Sequence, residues 1–393
     1  MNDNNMKKIL FYVNSQFGIG HFERCYNIIK SIEENYEFED LDTYLIYGGL
    51  KYEKYNTLEK TKICHLTSLS FQSNENLISS TPISLSPNLS VNEIFLERKN
   101  QITMFVNKIC FDLLFIEYFP FSKQSLISEV EYLINLISNK SLKIATSIRD
   151  FMTKDNAFNQ EYALNFIKRY CSEVFSHGDP NIATLEESFG NIDSIKEKII
   201  YTGYVVNNIF NSNFKQTLVK NRITISVGGG RDGLFAFELF FDALHSLPPN
   251  KIVKYEILCF LGKFMEKMDI DKITRRIEKN SSYNIKIKEF DEYQEYIFSS
   301  FISISMCGYN TAIELLQSDI PYVFFVPRNR TEQLLRSEAF QKCSNIYWTR
   351  SSYVLKTYIE QAIDNKLPIK VKSEIKSDGA LQTAKNIMNI VAN

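Results

Sequence analysis

The segment 301–339 constrains the fold of this chain more than any other stretch of the sequence. Two short apolar runs, at 301–305 and 322–326, are rich in β-branched and aromatic residues and predict buried strands. Between them, Asn310 and Thr311 are good helix caps, and the apolar residues that follow predict a short helix. A strand, a helix and a second strand in this order form a βαβ unit of a parallel sheet.

The turn after the first of these strands is suited to an anionic ligand that carries hydroxyl groups. Gly308 turns the chain just before the helix, whose first N–H groups are available to bind an anion. Glu314 lies one turn inside the helix, where its carboxylate can accept hydrogen bonds from vicinal hydroxyls. Together these features predict a nucleotide-sugar pocket, although any Rossmann-like crossover also needs a glycine turn and a helix cap. Polar side chains follow the second strand at the same sheet edge: Arg328, Arg330, Glu332 and Gln333.

A run of three glycines marks a second turn that is suited to phosphate. Residues 222–227 predict a strand, and Gly228, Gly229, Gly230 and Arg231 follow it directly, before a predicted helix. Glycine lets the backbone approach a phosphate closely, and the helix N-terminus adds N–H groups. Three consecutive glycines exceed what a simple turn needs, so we predict a phosphate-binding loop here.

A glycine-bearing turn near the N-terminus is a candidate for the catalytic centre. Residues 8–13 predict a strand, and Gly18, Gly20 and His21 lie in the turn before an amphipathic helix. The spacing is a poor dinucleotide fingerprint, because Glu23 occupies the position of the third glycine. His21 is our first candidate for a general base, because imidazole titrates near neutral pH. A phosphate or hydroxyl contact without proton transfer is its alternative role.

Further polar residues follow predicted strands in the first half of the chain, where strands and helices alternate. Glu117, Arg149, Asp150 and His177 each lie at the end of an apolar run. Because the carboxyl ends of parallel strands meet at one edge of a sheet, we expect these side chains to share that edge with His21. Asp150 and Glu117 are therefore the alternative candidates for the base.

The sequence Gly-Tyr-Asn-Thr-Ala-Ile-Glu that begins at Gly308, followed by a strand, a proline and Glu-Gln, resembles the donor-binding segment of inverting GT-B glycosyltransferases. It is similar to the bacterial N-acetylglucosaminyltransferase of peptidoglycan lipid synthesis, with its family 28-like C-terminal domain, and to predicted glycosyltransferases related to it. The resemblance implies that Glu314 binds the ribose hydroxyls and that Glu332 and Gln333 bind the donor sugar. It also implies that the backbone of Phe290 contacts the donor base. The donor-binding residues that it implies are Gly228, Gly229, Gly230, Arg231, Phe290, Gly308, Tyr309, Asn310, Thr311, Glu314, Arg328, Glu332 and Gln333.

The same resemblance covers the N-terminal turn, which in relatives lies between two domains and contacts the acceptor or the donor phosphate. It implies a GT-B α/β fold, in which two Rossmann-like parallel-sheet domains face each other across a cleft. The acceptor-side domain is expected at 1–206 and the donor-side domain at 207–393, with a last helix that often crosses back to the first domain. The acceptor-side residues that it implies are Gly18, Gly20, Arg24, Arg149 and His177.

The function implied is transfer of a sugar from a nucleotide diphosphate to a hydroxyl acceptor, with inversion and with neither a metal nor a cofactor. UDP is the expected nucleotide, and the acceptor is a glycan, a lipid-linked molecule or a small molecule. The net charge of −1 argues against a nucleic-acid partner, and seven scattered cysteines without a CxxC pair predict reduced thiols of a cytoplasmic protein. No apolar stretch reaches membrane-spanning length, so a lipid-linked acceptor would require peripheral contact with the inner face of the membrane.

Two other functions fit the same fold. A sugar-nucleotide 2-epimerase would use the donor half without an acceptor, and a non-catalytic protein would only bind the sugar nucleotide. A GT-A enzyme needs a metal-binding Asp-x-Asp after a strand. The pairs Asp40/Asp42 and Asp269/Asp271 match the letters, but the first precedes a predicted strand and the second lies in a charged helical stretch.

Overall fold

The computed structural model describes residues 6–15, 20–50, 56–72, 81–85, 88–122, 124–152, 157–206, 217–230, 233–289, 292–369 and 373–392. The chain divides into two compact units. The first comprises Met1–Asn207 with Lys376–Asn393, and the second comprises Asn208–Ile375.

The first unit is built on a seven-stranded parallel sheet with the strand order β3-β2-β1-β6-β7-β8-β9, and β4 pairs with β5 in a separate antiparallel hairpin. In chain order the strands are β1 (Lys7–Ser15), β2 (Leu41–Gly49), β3 (Lys62–His65), β4 (Leu69–Gln72), β5 (Thr81–Ser84), β6 (Leu113–Glu117), β7 (Lys143–Arg149), β8 (Glu173–His177) and β9 (Ile199–Tyr201). The helices are α1 (Gly20–Glu34), α2 (Val91–Val106), α3 (Ile127–Ile137) and α4 (Ala157–Tyr170).

The central strands of this sheet are apolar on both faces because helices cover both. Along β1, Leu10 and Tyr12 belong to the core under α2, α3 and α4, whereas Ile9 and Phe11 belong to the core under α1. A continuous apolar run is typical of a parallel strand that is buried on both sides. The start of α2 is set locally by a capping box, in which the Ser90 hydroxyl accepts from the Glu93 N–H and the Glu93 carboxylate accepts from the Ser90 N–H.

The second unit is built on a six-stranded parallel sheet with the strand order β12-β11-β10-β13-β14-β15. Its strands are β10 (Val219–Ser226), β11 (Glu256–Phe260), β12 (Asn284–Lys288), β13 (Ser300–Ser305), β14 (Tyr322–Phe325) and β15 (Ile346–Trp348). Its helices are α5 (Leu234–His245), α6 (Pro249–Ile252), α7 (Lys267–Lys279), α8 (Tyr293–Ile297), α9 (Tyr309–Gln317), α10 (Thr331–Cys343) and α11 (Ser352–Ile363).

The final helix, α12 (Gly379–Ala392), belongs to the first unit and packs against α1. Ala384, Ile387 and Val391 enter the same core as residues of α1 and β1. The second unit therefore ends at Ile375 rather than at the C-terminus.

Both sheets reverse their strand order once, and the reversal determines where loops diverge. In the first unit the order reverses between β1 and β6, and in the second between β10 and β13. At such a point the loops that leave the carboxyl ends of two neighbouring strands run to opposite faces of the sheet, and a crevice opens between them. The two candidate sites described below lie at these two points.

The local structure departs from the sequence-based expectations at a helix start and at strands that were not predicted. The stretch 68–90, rich in Ser, Asn and Pro, contains the hairpin β4–β5, and the polar stretch 207–221 contains the start of β10. Asn310 and Thr311 are not helix caps, because α9 starts one residue before Asn310 and Gly308 is its N-cap. The strand β15 was not predicted. Among the residues described, no helix is long and apolar enough to cross a membrane.

Candidate functional site

The polar residues predicted at the edge of the first sheet do lie at one edge. Glu117, Arg149 and His177 are the last residues of the neighbouring parallel strands β6, β7 and β8. Gly20 and His21 are the first two residues of α1, which follows β1 at the same edge. Gly18, predicted as part of this turn, lies outside the described residues.

Glu117 is the centre of a buried hydrogen-bonded cluster. His21 Nδ1 lies 2.9 Å from Glu117 Oε1, and the Arg24 guanidinium donates to the same oxygen. The Ser147 hydroxyl donates to the other carboxylate oxygen. Burial alone would raise the pKa of Glu117, but Arg24 and His21 outweigh it and hold the pKa well below its usual range. Glu117 is therefore an ionised carboxylate although it is fully buried.

The charge on Glu117 decides between two tautomers of His21. His21 Nδ1 lies 2.9 Å from both Glu117 Oε1 and Arg24 Nη2, and it can donate to the first or accept from the second. An ionised carboxylate favours the tautomer with the proton on Nδ1, as in other carboxylate–histidine pairs. That tautomer has its basic lone pair on Nε2. The His21 side chain is 19% exposed, whereas those of Arg24 and Glu117 are 2% and 0% exposed, so His21 is the member of the cluster nearest to solvent.

Arg149 packs on the neighbouring aromatic ring. Its Cζ lies 5.2 Å from the centre of the Tyr118 ring, and its Nη2 donates to the Tyr118 hydroxyl at 3.3 Å. The ring of Tyr118 also lies 4.8 Å from that of His21. Arg149 is thus linked to His21 through one tyrosine.

Asp150 and His177 lie deeper than the sequence suggested. Asp150 is 1% exposed, and its Oδ1 accepts from the Phe151 N–H at 2.8 Å. His177 is fully buried, with Nδ1 2.9 Å from Thr202 Oγ1. Burial lowers the pKa of His177 to about 3, with the charge of Glu117 opposing the shift and that of Arg24 adding to it. His177 is therefore a neutral imidazole in the interior, and any effect on a ligand would be indirect.

A second buried cluster joins β1, the strand that precedes the turn to His21, to α2 and α3. Arg98 of α2 makes two hydrogen bonds of 2.7 Å to Glu129 of α3, and both side chains are fully buried. The Tyr12 hydroxyl donates to Glu129 at 2.5 Å, and Arg98 also donates to the Thr67 carbonyl at 2.9 Å. Side chains of two helices and of β1 thus meet at one ion pair, together with the carbonyl of Thr67 between β3 and β4.

The glycine loop of the second unit follows β10, and different structural constraints explain the glycine at each position. Gly228 and Gly230 have positive φ angles of 58° and 85°. A methyl group on Gly230 would overlap with the backbone of Gly262, so close packing of two loops explains that glycine. A methyl group on Gly228 would lie 3.5 Å from Thr311 Oγ1. Within the described part of the chain, the N–H of Gly229 makes no hydrogen bond. Arg231, predicted as part of this loop, lies outside the described residues.

The start of α9 lies beside this glycine loop. Gly308 is the N-cap of α9, and no side chain caps the helix there. A methyl group on Gly308 would meet no atom of the described residues within 4 Å, so this part of the chain leaves space open next to the first turn of the helix. Because β10 and β13 are neighbouring strands, the glycine loop and the first turn of α9 form one polar surface at the reversal of strand order.

The remaining residues predicted to bind the donor belong to the second unit. Glu314 is 7% exposed, and its charge adds to burial in raising the pKa of Tyr293 far above its usual value. Gln333 Oε1 accepts from the Arg328 N–H at 2.9 Å, which fixes the turn before α10. Glu332 is 4% exposed. Phe290, predicted to contact the base, lies outside the described residues.

Sequence reasoning missed one buried cation in this region, Arg336. It is 0% exposed, its Nη1 donates to the Cys307 carbonyl at 2.8 Å, and its Cζ lies 5.7 Å from the centre of the Tyr309 ring. A signal existed, because Arg336 is one turn after Glu332 and therefore on the same face of α10.

Metal-binding side chains are not grouped in the described parts of either unit. No three or more His, Cys, Asp or Glu side chains there are placed to hold a metal ion.

Comparison with known proteins identifies the fold. No protein-family model matches the sequence, and no curated protein matches it. The crystal structure of MurG from Acinetobacter baumannii is similar over 98% of this chain and 99% of its own, with a TM-score of 0.56 and 12% identity. The UDP-N-acetylglucosamine 2-epimerase of Methanocaldococcus jannaschii is similar over 98% and 99%, with a TM-score of 0.59 and 13% identity. The calicheamicin glycosyltransferase CalG4 is similar over 98% and 94%, with a TM-score of 0.54 and 10% identity.

These likenesses show a GT-B fold, made of two parallel-sheet α/β units, as the sequence predicted. Its structural neighbours are GT-B glycosyltransferases and UDP-N-acetylglucosamine 2-epimerases.

Proposed function

We propose that this protein is a glycosyltransferase that moves a sugar from a nucleotide diphosphate to a hydroxyl acceptor. UDP is the proposed nucleotide, and the reaction inverts the anomeric configuration and needs no metal. One observation carries the proposal: each unit has a polar cluster where its strand order reverses. The second unit supplies glycine and helix N–H groups there, and the first supplies a histidine paired with an ionised carboxylate.

The second unit is proposed to bind the donor. N–H groups of the glycine loop and of the first turn of α9 would stabilise the diphosphate, both when bound and as the leaving group. One helix N-terminus contributes roughly 0.3–2 kcal/mol to an anion, and several fixed N–H groups act together. Glu314 would accept hydrogen bonds from the ribose hydroxyls, and Glu332 and Gln333 would bind the sugar.

His21 is proposed to activate the acceptor. Its Nε2 takes the proton of the acceptor hydroxyl while the acceptor oxygen bonds to the anomeric carbon from the side opposite the diphosphate. The bond from that carbon to the diphosphate oxygen breaks, and the anomeric configuration inverts. Glu117 holds the proton on Nδ1 and stabilises the imidazolium that forms. We favour His21 over Asp150 and Glu117, because both carboxylates are buried and His21 is partly exposed.

The similarity to UDP-N-acetylglucosamine 2-epimerases supports a second candidate function. Such an enzyme would convert the sugar nucleotide to its 2-epimer without an acceptor. The donor side of the proposal would be the same in both cases.

The test starts with the thermal stability of the purified protein in the presence of sugar nucleotides that differ in base and in sugar. A ligand that binds the folded state raises the melting temperature by mass action. The sugar nucleotide that raises the melting temperature most is then labelled in its sugar. It is incubated without an acceptor, with water-soluble acceptors from cells, and with lipid-linked acceptors from cells. A glycosylated acceptor with inverted configuration supports the proposal. Epimer formed without acceptor supports the second function, and the absence of any stabilisation contradicts both.

The acceptor class also sets the proposed location. A water-soluble acceptor fits a cytoplasmic enzyme, whereas a lipid-linked acceptor fits an enzyme at the inner face of the membrane. Transfer to the lipid-linked fraction alone would favour the second location.

A further inference from the structure

A fully buried guanidinium lies directly behind the turn that we propose to bind the donor diphosphate. Cys307 and Tyr309 are the two residues on either side of Gly308, the N-cap of α9. Arg336 Nη1 donates to the Cys307 carbonyl at 2.8 Å, and Arg336 Cζ lies 5.7 Å from the Tyr309 ring centre. One side chain of α10 therefore contacts both sides of the glycine at which α9 begins.

The start of α9 needs such a support. No side chain caps the helix, and Gly308 has no side chain to pack against a neighbour. The direction of the first N–H groups of α9 depends on the backbone of this turn. A contact that fixes the carbonyl before Gly308 and the ring after it fixes that direction.

The burial of Arg336 argues for a role in geometry rather than in stability alone. Desolvation of a guanidinium is unfavourable, and apolar residues of similar volume often stabilise a core as well or better. Arginine differs from lysine in its planar fork, which can donate to a carbonyl and lie over a ring at the same time. The contacts to Cys307 and Tyr309 use both properties.

We propose that Arg336 is a positioning residue that orients the first turn of α9 for the donor diphosphate. The proposal rests on the proposed function for its ligand, but the orientation of the turn can be measured without one. It predicts that Arg336 affects binding of the diphosphate more than binding of the nucleoside.

The first measurement uses the ligand-free protein. Hydrogen exchange of the Ala312 N–H, which donates to the Gly308 carbonyl at 2.9 Å, and of the amides that follow it in α9 is compared in the wild type, in Arg336→Lys, and in Arg275→Lys, which changes an exposed arginine of α7. We expect exchange in this segment to rise about tenfold or more in Arg336→Lys and to stay unchanged in the control. Unchanged exchange in Arg336→Lys would overturn the proposal. If that variant does not melt cooperatively, Tyr309→Leu, which removes the ring contact and leaves Arg336 in place, is measured instead.

The second measurement compares UDP with uridine, by calorimetry for UDP and by competition for uridine. We expect Arg336→Lys to lose about tenfold or more in UDP affinity and little in uridine affinity. Equal losses for both ligands would indicate general support of the fold and overturn the positioning role. If the wild type binds no nucleotide diphosphate, the proposed function fails, while the exchange measurement still decides what Arg336 does to the turn.

Discussion

Glu117 shows how one buried residue organises the edge of the first sheet. Two side chains of α1 and one of β7 donate to its carboxylate. A buried carboxylate remains charged only when such donors replace water. Because Glu117 is charged, the tautomer of His21 that suits a general base is favoured, and the base candidate is set by its neighbours rather than by its position in the sequence.

The role of His21 is tested by His21→Ala. We expect kcat to fall by about 10²–10⁴, since that is the usual contribution of a general base. Donor affinity should change little, because the residues proposed to bind the donor belong to the second unit. The assay is product formation from labelled donor, with His245→Ala, an exposed histidine of α5, as the control. A rate near that of the wild type would move the role to Asp150 or Glu117.

His177 predicts how stability depends on pH. Its pKa is about 3 in the folded protein and 6.5 ordinarily, so between these values the unfolded chain binds a proton that the folded protein does not. This contribution to the free energy of unfolding is complete above pH 6.5. It falls by up to about 1.4 kcal/mol per pH unit as the pH drops toward 3. In urea titrations across this range, His177→Gln should show a shallower pH dependence than the wild type. An identical slope would contradict the assignment, and His245→Gln serves as control.

At the scale of elements, the hydrophobic pattern predicted most strands of the two parallel sheets. It failed for strands that form only because they pair with another strand. The predicted strands at 301–305 and 322–326 are β13 and β14. The hairpin β4–β5 was missed because its strands have four residues each and lie in a stretch rich in Ser, Asn and Pro. Such strands form only through their partner, which a local pattern does not show.

The same limit applies to the candidate site. Gly228 and Gly308 were found because a glycine run and a glycine turn after a strand are visible in the sequence. Arg336 was missed because an arginine is ordinarily exposed, and its burial depends on the turn packed against it. The pairing of His21 with Glu117 needed the alignment of β1 with β6, which no single segment encodes.

Two glycines of the second unit should respond differently to alanine. Gly308→Ala should leave the melting temperature nearly unchanged, because its φ is −70° and the new methyl group meets no atom of the residues that the structure describes within 4 Å. The methyl group would enter the proposed donor surface and weaken nucleotide binding. Gly230→Ala should lower stability, because its φ is 85° and the methyl group overlaps with Gly262. Calorimetry and thermal melting of both variants check this, and unaltered nucleotide affinity in Gly308→Ala would count against the site.

Glu314→Ala tests the helix that contributes the proposed ribose acceptor. We expect a loss of sugar-nucleotide affinity of about tenfold, in line with the loss of a charge-assisted hydrogen bond of roughly 1.5–3 kcal/mol. The fold should persist. Glu338→Ala, an exposed glutamate of α10, is the matched control. Equal affinities of wild type and Glu314→Ala in calorimetry would remove Glu314 from the pocket.

At the scale of the whole molecule, the two units repeat one design. Each has a parallel sheet whose strand order reverses once, and each presents its polar cluster at that reversal. Alternation of strands and helices was enough to predict this class of fold. The fold does not distinguish transfer from epimerisation, because a glycosyltransferase and a 2-epimerase are both similar to this chain.

The proposed mechanism assigns the stabilisation of the diphosphate to N–H groups, so activity should survive chelation. We expect the rate of product formation in excess EDTA to equal that in buffer. A rate lost to EDTA and restored by Mn²⁺ or Mg²⁺ would show that a metal takes part in the reaction.

The return of α12 to the first unit has a consequence for synthesis on the ribosome. Ile28 and Ile29 of α1 share a core with Ile387 and Val391 of α12. The second unit lies between these helices in the chain and is continuous, so it can fold as soon as it emerges. The part of the apolar face of α1 that α12 covers stays exposed until residues 379–392 have left the exit tunnel. We therefore expect the nascent chain to need chaperone protection longest at α1.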